Sequence, residues 1–183
     1  GVLVRENFNL EQIEILKGPA SAFTGRGTAG GAVNLVTKKA QTAGNFYDFE
    51  GTGGFSDKSG RLVADVNYAL DDTLAVRING MLQNSSVAGR DYTTDNRWGL
   101  AGAVTWNPLE NLSISGDYSY TFMYGLPDFG VPYNAGARRP VTSGDVRTGI
   151  YYGAVNRDFM RSVQGRGGVH INWAVADWLT LSN

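Results

Sequence analysis

Residues 11–40 read EQIEILKGPASAFTGRGTAGGAVNLVTKKA, and what this stretch does locally governs how the rest of the chain is read. Gln12 to Leu16 alternates as a short strand, with Ile13 and Ile15 on one face and Leu16 starting a change of direction. Lys17-Gly18-Pro19 breaks it, since proline fixes its own φ and is tolerated at a first helical position. Ala20 to Phe23 then suits about one helical turn. Gly25, Gly27, Gly30 and Gly31 permit tight reversal and close backbone contact. Ala32 to Lys38 returns as a strand, Val33, Leu35 and Thr37 opposing Asn34 and Val36. The expectation is a small glycine-punctuated strand–turn–strand unit.

The remainder of the chain has a different character. From Asn45 onward the hydrophobic period is two. The clearest case is Leu112 to Tyr124, where Leu112, Ile114, Gly116, Tyr118, Tyr120, Phe122 and Tyr124 share one face. Ser113, Ser115, Asp117, Ser119, Thr121 and Met123 take the other. A run of ~13 residues exceeds the ~5–6 of ordinary strands and suits a tilted membrane crossing of ~9–11. Similar alternation sets Leu62, Ala64, Val66, Tyr68 and Leu70 against Arg61, Asp65 and Asn67, and Leu74, Val76, Ile78, Gly80 and Leu82 against Arg77, Asn79 and Gln83. Trp98 to Trp106 and Val163 to Trp173 repeat the pattern, the latter placing Arg166 and His170 on its polar side. Phe46 to Phe55 is weaker, with Tyr47 and Phe49 facing away from Asp48 and Glu50.

The links alternate in kind. Ser56–Gly60, Asp71–Thr73, Asn107–Asn111 and Ala174–Asp177 carry the Asp, Asn, Gly or Pro of tight reversals. Longer links run from Ser85 to Asn96 and from Gly125 to Arg161, both at the end of the strands where Ser56–Gly60 also lies. Short turns at one end and mostly longer loops at the other is the layout of an outer-membrane barrel. A soluble antiparallel sheet with one wetted face gives the same alternation, but offers no reason for the unit at 11–40 to precede its first hairpin.

Composition narrows the field. The 183 residues carry a net charge of −1, so no bulk electrostatic pull toward nucleic acid exists. There is no cysteine, which removes disulfides, thiolate metal sites and cysteine nucleophiles. No run of ~18 apolar residues encodes a transmembrane helix, which leaves membrane strands untouched. The start at Gly1 without a signal segment, and the end at Asn183 partway through a strand, lead us to expect an internal fragment. Gly25-Arg26-Gly27-Thr28-Ala29-Gly30 satisfies G-x-G-x-x-G, with Asp48 and Glu50 about twenty residues on. The glycines here come after a helical turn and open a strand, so no phosphate would meet a helix N-terminus. His170 is the sole histidine, and neither a catalytic constellation nor a cofactor or metal set is expected.

The run from Ile13 to Lys39, IEILKGPASAFTGRGTAGGAVNLVTKK, closely resembles the end of the plug domain of TonB-dependent outer-membrane receptors, in the siderophore-receptor branch. That family typically reads IEVLKGPASxLYGxGxxGGxxNxVTKKP. The motif positions are Lys17, Gly18, Pro19, Gly25, Gly27, Gly30, Gly31 and Asn34. This chain departs at Gln12, Thr24 and Ala40, where the family often has Arg, Tyr and Pro. The resemblance implies a mainly β protein in which residues 1–40 are the C-terminal part of the plug and residues 41–183 the first antiparallel strands of a transmembrane β-barrel. It further implies a monomeric bacterial outer-membrane transporter, not an enzyme, surrounded by lipid and lipopolysaccharide and binding no nucleic acid. Such receptors take up ferric siderophores with energy from the TonB complex, whose contact segment would lie upstream of Gly1. The same machine with cobalamin, haem or a glycan as cargo, or a β-sheet binding module that transports nothing, are the competing expectations.

Candidate ligand contacts come from two places. The resemblance points to the plug apex at Phe23, Thr24 and Arg26; Thr24 stands where relatives have an aromatic residue that can touch the ligand, leaving Phe23 to substitute. The long link contributes Arg138, Arg139, Tyr151 and Tyr152, because aromatic rings stack on planar chelating groups and arginines neutralise an anionic iron complex. Those residues equally suit an outer aromatic girdle and pairing with lipopolysaccharide phosphates or with Asp128, Asp145 and Asp158. Lys38 and Lys39, at the handover between the two parts, are expected to pair with Asp48, Glu50 or Asp65, or to stay solvated.

Overall fold

The computed structural model describes residues 5–18, 30–141, 144, 146–147 and 149–183. Pro19, Phe23, Thr24, Gly25, Arg26, Gly27 and the helical turn expected at Ala20 to Phe23 lie outside the described residues. β1 (Leu10–Lys17) and β2 (Gly31–Thr37) form a two-stranded antiparallel hairpin. Its neck requires glycine at Gly31, whose φ is +133° and where a Cβ would stand 2.3 Å from the Leu16 carbonyl oxygen. Gly18 has φ +94°, and its N–H donates to the Gly30 carbonyl at 3.4 Å.

The remaining long strands make one continuous antiparallel sheet. They are β3 (Phe46–Gly54), β4 (Ser59–Ala69), β5 (Leu74–Ser86), β6 (Thr94–Leu109), β7 (Leu112–Leu126), β10 (Met160–Ala176) and β11 (Leu179–Ser182), in spatial order β11-β10-β7-β6-β5-β4-β3. β8 (Tyr133–Asn134) and β9 (Arg139–Pro140) form a separate small hairpin inside the longest link. Each long strand pairs with its sequence neighbour, so the topology is an up-and-down meander. The tight turns at 70–73, 110–111 and 177–178 share one end, and the links at 55–58, 87–93 and 127–159 the other.

Several strands run further than alternation alone suggested. β6 begins at Thr94 and ends at Leu109, a 16-residue strand, while β5 continues through Ser86. The link expected from Ser85 to Asn96 therefore shortens to 87–93. Ser85 pairs with Asp95 and Ser86 with Thr94, because ladder hydrogen bonds persist beyond the point where side chains stop being apolar. At the opposite end Asp71 holds the reversal, its Oδ1 accepting from the Thr73 N–H and hydroxyl at 2.7 Å each and from the Leu74 N–H at 2.9 Å.

The two faces of this sheet invert the pattern of a soluble protein. On the inner side Asp65, Asn67, Arg77 and Asn79 are buried, with Ser115, Ser119 and Thr121. On the outer side large apolar residues stand exposed, among them Phe49 at 72%, Leu62 at 62% and Leu100 at 56%. Register aligns the outer residues into rows. Leu62, Leu82, Trp98, Phe122 and Val163 form one row across five strands, and Leu74, Trp106, Ile114 and Ile171 form another. From Trp98 to Trp106 the distance along β6 is about 27 Å at ordinary strand rise, matching the ~9–11 residues of a tilted crossing. Toward the loop end the next outer row turns polar: Gly60, Asn84, Asn96, Tyr124 and Arg161. A water-soluble sandwich would bury the apolar face and wet the polar one; here the reverse holds.

Candidate functional site

The inner face is occupied by residues from the N-terminal part of the chain. Phe8 lies buried against Met81 and Ala101, with Val63 packed alongside. Its ring fills the space over Gly99, where a Cβ would come within 2.6 Å of Phe8 Cε1. Glycine at 99 is what lets this ring reach the wall.

Around that apolar contact runs a network of charges. Arg77 grips Asp65 with two parallel bonds, Nε to Oδ1 at 2.9 Å and Nη2 to Oδ2 at 2.7 Å. Its remaining Nη1 reaches Glu11 Oε2 at 2.9 Å and the Lys39 carbonyl at 3.0 Å, while its guanidinium lies 4.9 Å from the Phe46 ring centre. Lys38 Nζ closes on the same Asp65 carboxylate at 2.7 Å, and Asn79 donates to it at 3.1 Å. Of the pairings expected for Lys38 and Lys39, the structure contains Lys38 with Asp65; Lys39 contributes its backbone carbonyl.

A second cluster centres on Glu6, whose side chain is 5% exposed. It pairs with Arg61 Nη2 at 3.0 Å on β4 and with Arg97 Nη1 at 2.5 Å on β6. Arg61 also donates to Gln83 Oε1 at 2.7 Å on β5, and Arg97 pairs with Asp95. Breaking one member of such a buried group leaves the other charge uncompensated, a cost of about 3–5 kcal/mol when burial is complete. The connector between hairpin and sheet is fixed by Asn67, which accepts from the Gln41 N–H at 2.9 Å and donates to the Gln41 and Gly44 carbonyls at 2.8 Å each. Asn34 stays within the hairpin, donating to Glu14 Oε2 at 2.8 Å across the ladder. Lys17 pairs with Gly31 at its neck.

The loop end holds a different cluster. Arg90, in the 87–93 link, binds Asp128 Oδ2 and Oδ1 at 3.1 and 2.8 Å and the Gly130 carbonyl at 3.0 Å. Its guanidinium stands 5.8 Å from the Tyr152 ring centre. Arg147 pairs with Asp91, and the Asp91 N–H donates to the Gly149 carbonyl at 2.8 Å. The Arg90 guanidinium, with the Gly130 N–H bond, holds the Asp128 carboxyl below the usual carboxylate range. The Ala154 N–H bond, assisted by Arg157, does the same for Asp158. Burial pushes the Tyr151 phenol up, as does neighbouring Asp158, which accepts its hydroxyl at 3.5 Å.

Of the sequence-derived candidates, the structure therefore brings Tyr151 and Tyr152 into one loop cluster, Tyr151 buried and Tyr152 exposed. Arg138 and Arg139 stand exposed at the separate β8–β9 hairpin, Arg138 with φ +53° in its turn. Glu6, Glu11 and Arg90 carry much of the polar architecture without a sequence signal of their own, whereas Asp128, expected as a partner for loop arginines, pairs with Arg90. The signal available for the first two was indirect: Arg61, Arg77 and Arg97 all fall on polar strand faces, and cations enclosed there require carboxylates. No group of three or more histidine or acidic side chains suited to a metal ion occurs among the described residues.

No protein-family model matches the chain. Comparison with individual proteins is informative. The chain is 35% identical over 162 residues to the probable TonB-dependent receptor BfrD of Bordetella pertussis, covering 84% of this chain and 21% of that protein. It is 29% identical over 182 residues to the probable TonB-dependent siderophore receptor PiuA of Acinetobacter baumannii, covering 98% and 24%. Among solved structures, the ferric-catecholate import receptor Fiu of Escherichia coli K12 superposes with a TM-score of 0.84 at 28% identity, over 100% of this chain and 29% of that one. PiuA itself gives 0.84 at 28% identity, over 100% and 26%. The chain thus spans about a quarter of the length of the relatives it matches. These relatives are receptors, not enzymes, as the sequence led us to expect. With its mainly β antiparallel architecture and this similarity along its whole length, the chain is a homologue of the TonB-dependent siderophore receptors and matches a segment of one.

Proposed function

We propose that this chain forms part of a bacterial outer-membrane receptor that imports ferric siderophores with energy from TonB. The observation that carries the reading is the inverted sheet: an apolar face exposed on one side, and on the other a polar face gripping a small hairpin unit by buried ion pairs. Such a wall has a use only where its outside meets hydrocarbon and its inside is occupied. In this reading residues 1–40 are the end of the plug and residues 41–183 the first strands of the barrel. The Glu6, Glu11 and Lys38 ion pairs hold the plug in place, and charged contacts of this kind can be exchanged for water when a partner pulls. Phe23, Thr24 and Arg26 at the plug apex, with Arg138, Arg139, Tyr151 and Tyr152 from the loop side, meet the iron complex. The catecholate receptor Fiu among the relatives favours a ligand rich in planar aromatic chelating groups, which stack on tyrosine and pair with arginine.

Growth of a deletion strain under iron limitation, complemented with the full-length protein and supplied with a panel of siderophores, tests this reading. Rescue by an iron chelate, catecholates first, is expected. Rescue by cobalamin, haem or a glycan and by no chelate would overturn the cargo assignment.

A further inference from the structure

We propose that Arg61 and Arg97 form an anion-binding seat on the inner face of the wall, filled at rest by the Glu6 carboxylate. An anionic iron chelate takes the seat over once the segment bearing Glu6 withdraws. This deepens the function proposed above and rests on it. Arg61, Gln83 and Arg97 stand in one cross-strand row on β4, β5 and β6, so the two arginine backbones lie about 10 Å apart. Between their side chains sits Glu6, one carboxylate oxygen taken by each guanidinium: Oε2 by Arg61 at 3.0 Å and Oε1 by Arg97 at 2.5 Å. Two arginines converging on the two oxygens of one carboxylate make a strong, oriented anion site.

The seat belongs to the wall rather than to its occupant. Arg61 is held by Gln83 Oε1 at 2.7 Å, and Arg97 by both oxygens of Asp95. Each guanidinium keeps its wall partner whether or not Glu6 is present, and a pre-positioned site loses little ordering entropy on binding. Glu6 lies in the non-strand stretch before β1, where Asn7 beside it also accepts from Arg61 at 3.4 Å. Withdrawal of that stretch leaves two guanidiniums against the single Asp95 carboxylate, a net positive charge facing the lumen. Arg77 differs, because both of its bonds to Asp65 lie within the wall and it stays neutralised when Glu11 departs. Glu50, one inward row deeper on β3 and opposite Val63, pairs with neither Arg61 nor Arg97 among the described residues. The uncompensated charge thus falls close to the loop end, where a complex arriving from the loops enters the wall. A ferric ion held by ionised catechols is itself negative, and its rim oxygens suit the seat that a carboxylate fills at rest.

Glu6→Gln combined with Arg61→Gln removes one charge of each sign and leaves Arg97 with Asp95, so the seat is halved without stranding a buried ion. Full-length protein carrying both changes is placed in the deletion strain. Surface binding of a ferric catecholate is measured in de-energised cells, and iron uptake in energised ones. Surface affinity and hydrogen exchange over β1 and β2 should match wild type, while uptake falls about tenfold, the value of one charge-assisted contact. A merely structural tie predicts the opposite sign, because a loosened hairpin unit withdraws more easily. The seat itself is read in Glu6→Ala: acetate should restore exchange protection of β1 and β2, and chloride at equal ionic strength should not. Uptake equal to or faster than wild type, or no difference between acetate and chloride, would overturn the seat and leave the receptor reading intact. Wild type that binds and imports no iron chelate would overturn both.

Discussion

Gly102 offers a clean way to ask what the outer face touches. It sits in the middle outward row of β6, with Trp98 and Leu100 on one side and Val104 and Trp106 on the other, and a Cβ placed there meets nothing within 4 Å. A substitution at Gly102 therefore reports the surrounding medium rather than a steric clash. In hydrocarbon, Gly102→Arg should cost about 2–4 kcal/mol, as for arginine at the midplane of a membrane barrel, a roughly thirtyfold to several-hundredfold loss in the folding equilibrium. Gly102→Leu should be neutral or stabilising by up to ~1 kcal/mol, since a strand glycine is itself unfavourable by ~0.5–1 kcal/mol. Reversible urea unfolding of the full-length protein in lipid vesicles, followed by tryptophan fluorescence, measures both. If water bathed this face, Arg and Leu alike would stay within ~0.5 kcal/mol of wild type. If a second protein layer covered it, Leu would destabilise by ~1–3 kcal/mol through overpacking. Either result would refute the reasoning.

Other expectations come from the inner face and the loops. Gly99→Ala drives a methyl into the Phe8 ring and should destabilise the seating of the hairpin by about 1–3 kcal/mol, seen as faster hydrogen exchange across β1 and β2. Asn67→Ala leaves the Gln41 N–H and two connector carbonyls without their partner, and should cost about 1–3 kcal/mol with protease sensitivity near residues 40–45. The depressed Asp128 carboxyl fixes a pH window for the tie between the 87–93 and 127–159 links. Its folded value lies below its unfolded one, so the stabilisation is complete above the ordinary carboxylate value of ~3.9 and is lost as pH falls through the lower folded value. Distances between spin labels on the two links should hold from pH 7 to pH 5 and lengthen only in strong acid; lengthening already at pH 5 would contradict the assignment of Asp128 to Arg90.

How much was legible in the sequence depended on the kind of information asked for. Side-chain parity was legible throughout the barrel strands, because a period of two assigns Leu62 outward and Asp65 inward without reference to any partner. Strand ends were not. Ser85, Ser86, Thr94 and Asn96 are polar, and polarity reads as loop, yet their backbones still pair where strands leave the apolar zone. The β8–β9 hairpin escaped notice because two-residue strands carry no periodicity. Partners were the hardest. Glu6 meets Arg61 and Arg97 across 55 and 91 positions, and parity names the face a charge occupies without naming what arrives from elsewhere in the chain. Lys38 lies between these cases: parity restricts its partner to an inward carboxylate, and Asp65, one of the three named, is the one it meets. The glycines divided similarly: Gly31 was marked by its motif, whereas Gly99 is needed for a ring ninety-one positions earlier.

The most direct measurement is accessibility along β6 in the membrane. Single spin labels at successive positions from 98 to 106 of the full-length protein, in vesicles, would be probed with oxygen, which concentrates in lipid, and with a water-soluble nickel chelate. High oxygen accessibility at 98, 100, 102, 104 and 106, alternating with labels at 99, 101, 103 and 105 shielded from both reagents, is the predicted result. Labels at the even positions open to the nickel chelate, or shielded from both reagents, would contradict a lipid-facing wall packed around a hairpin.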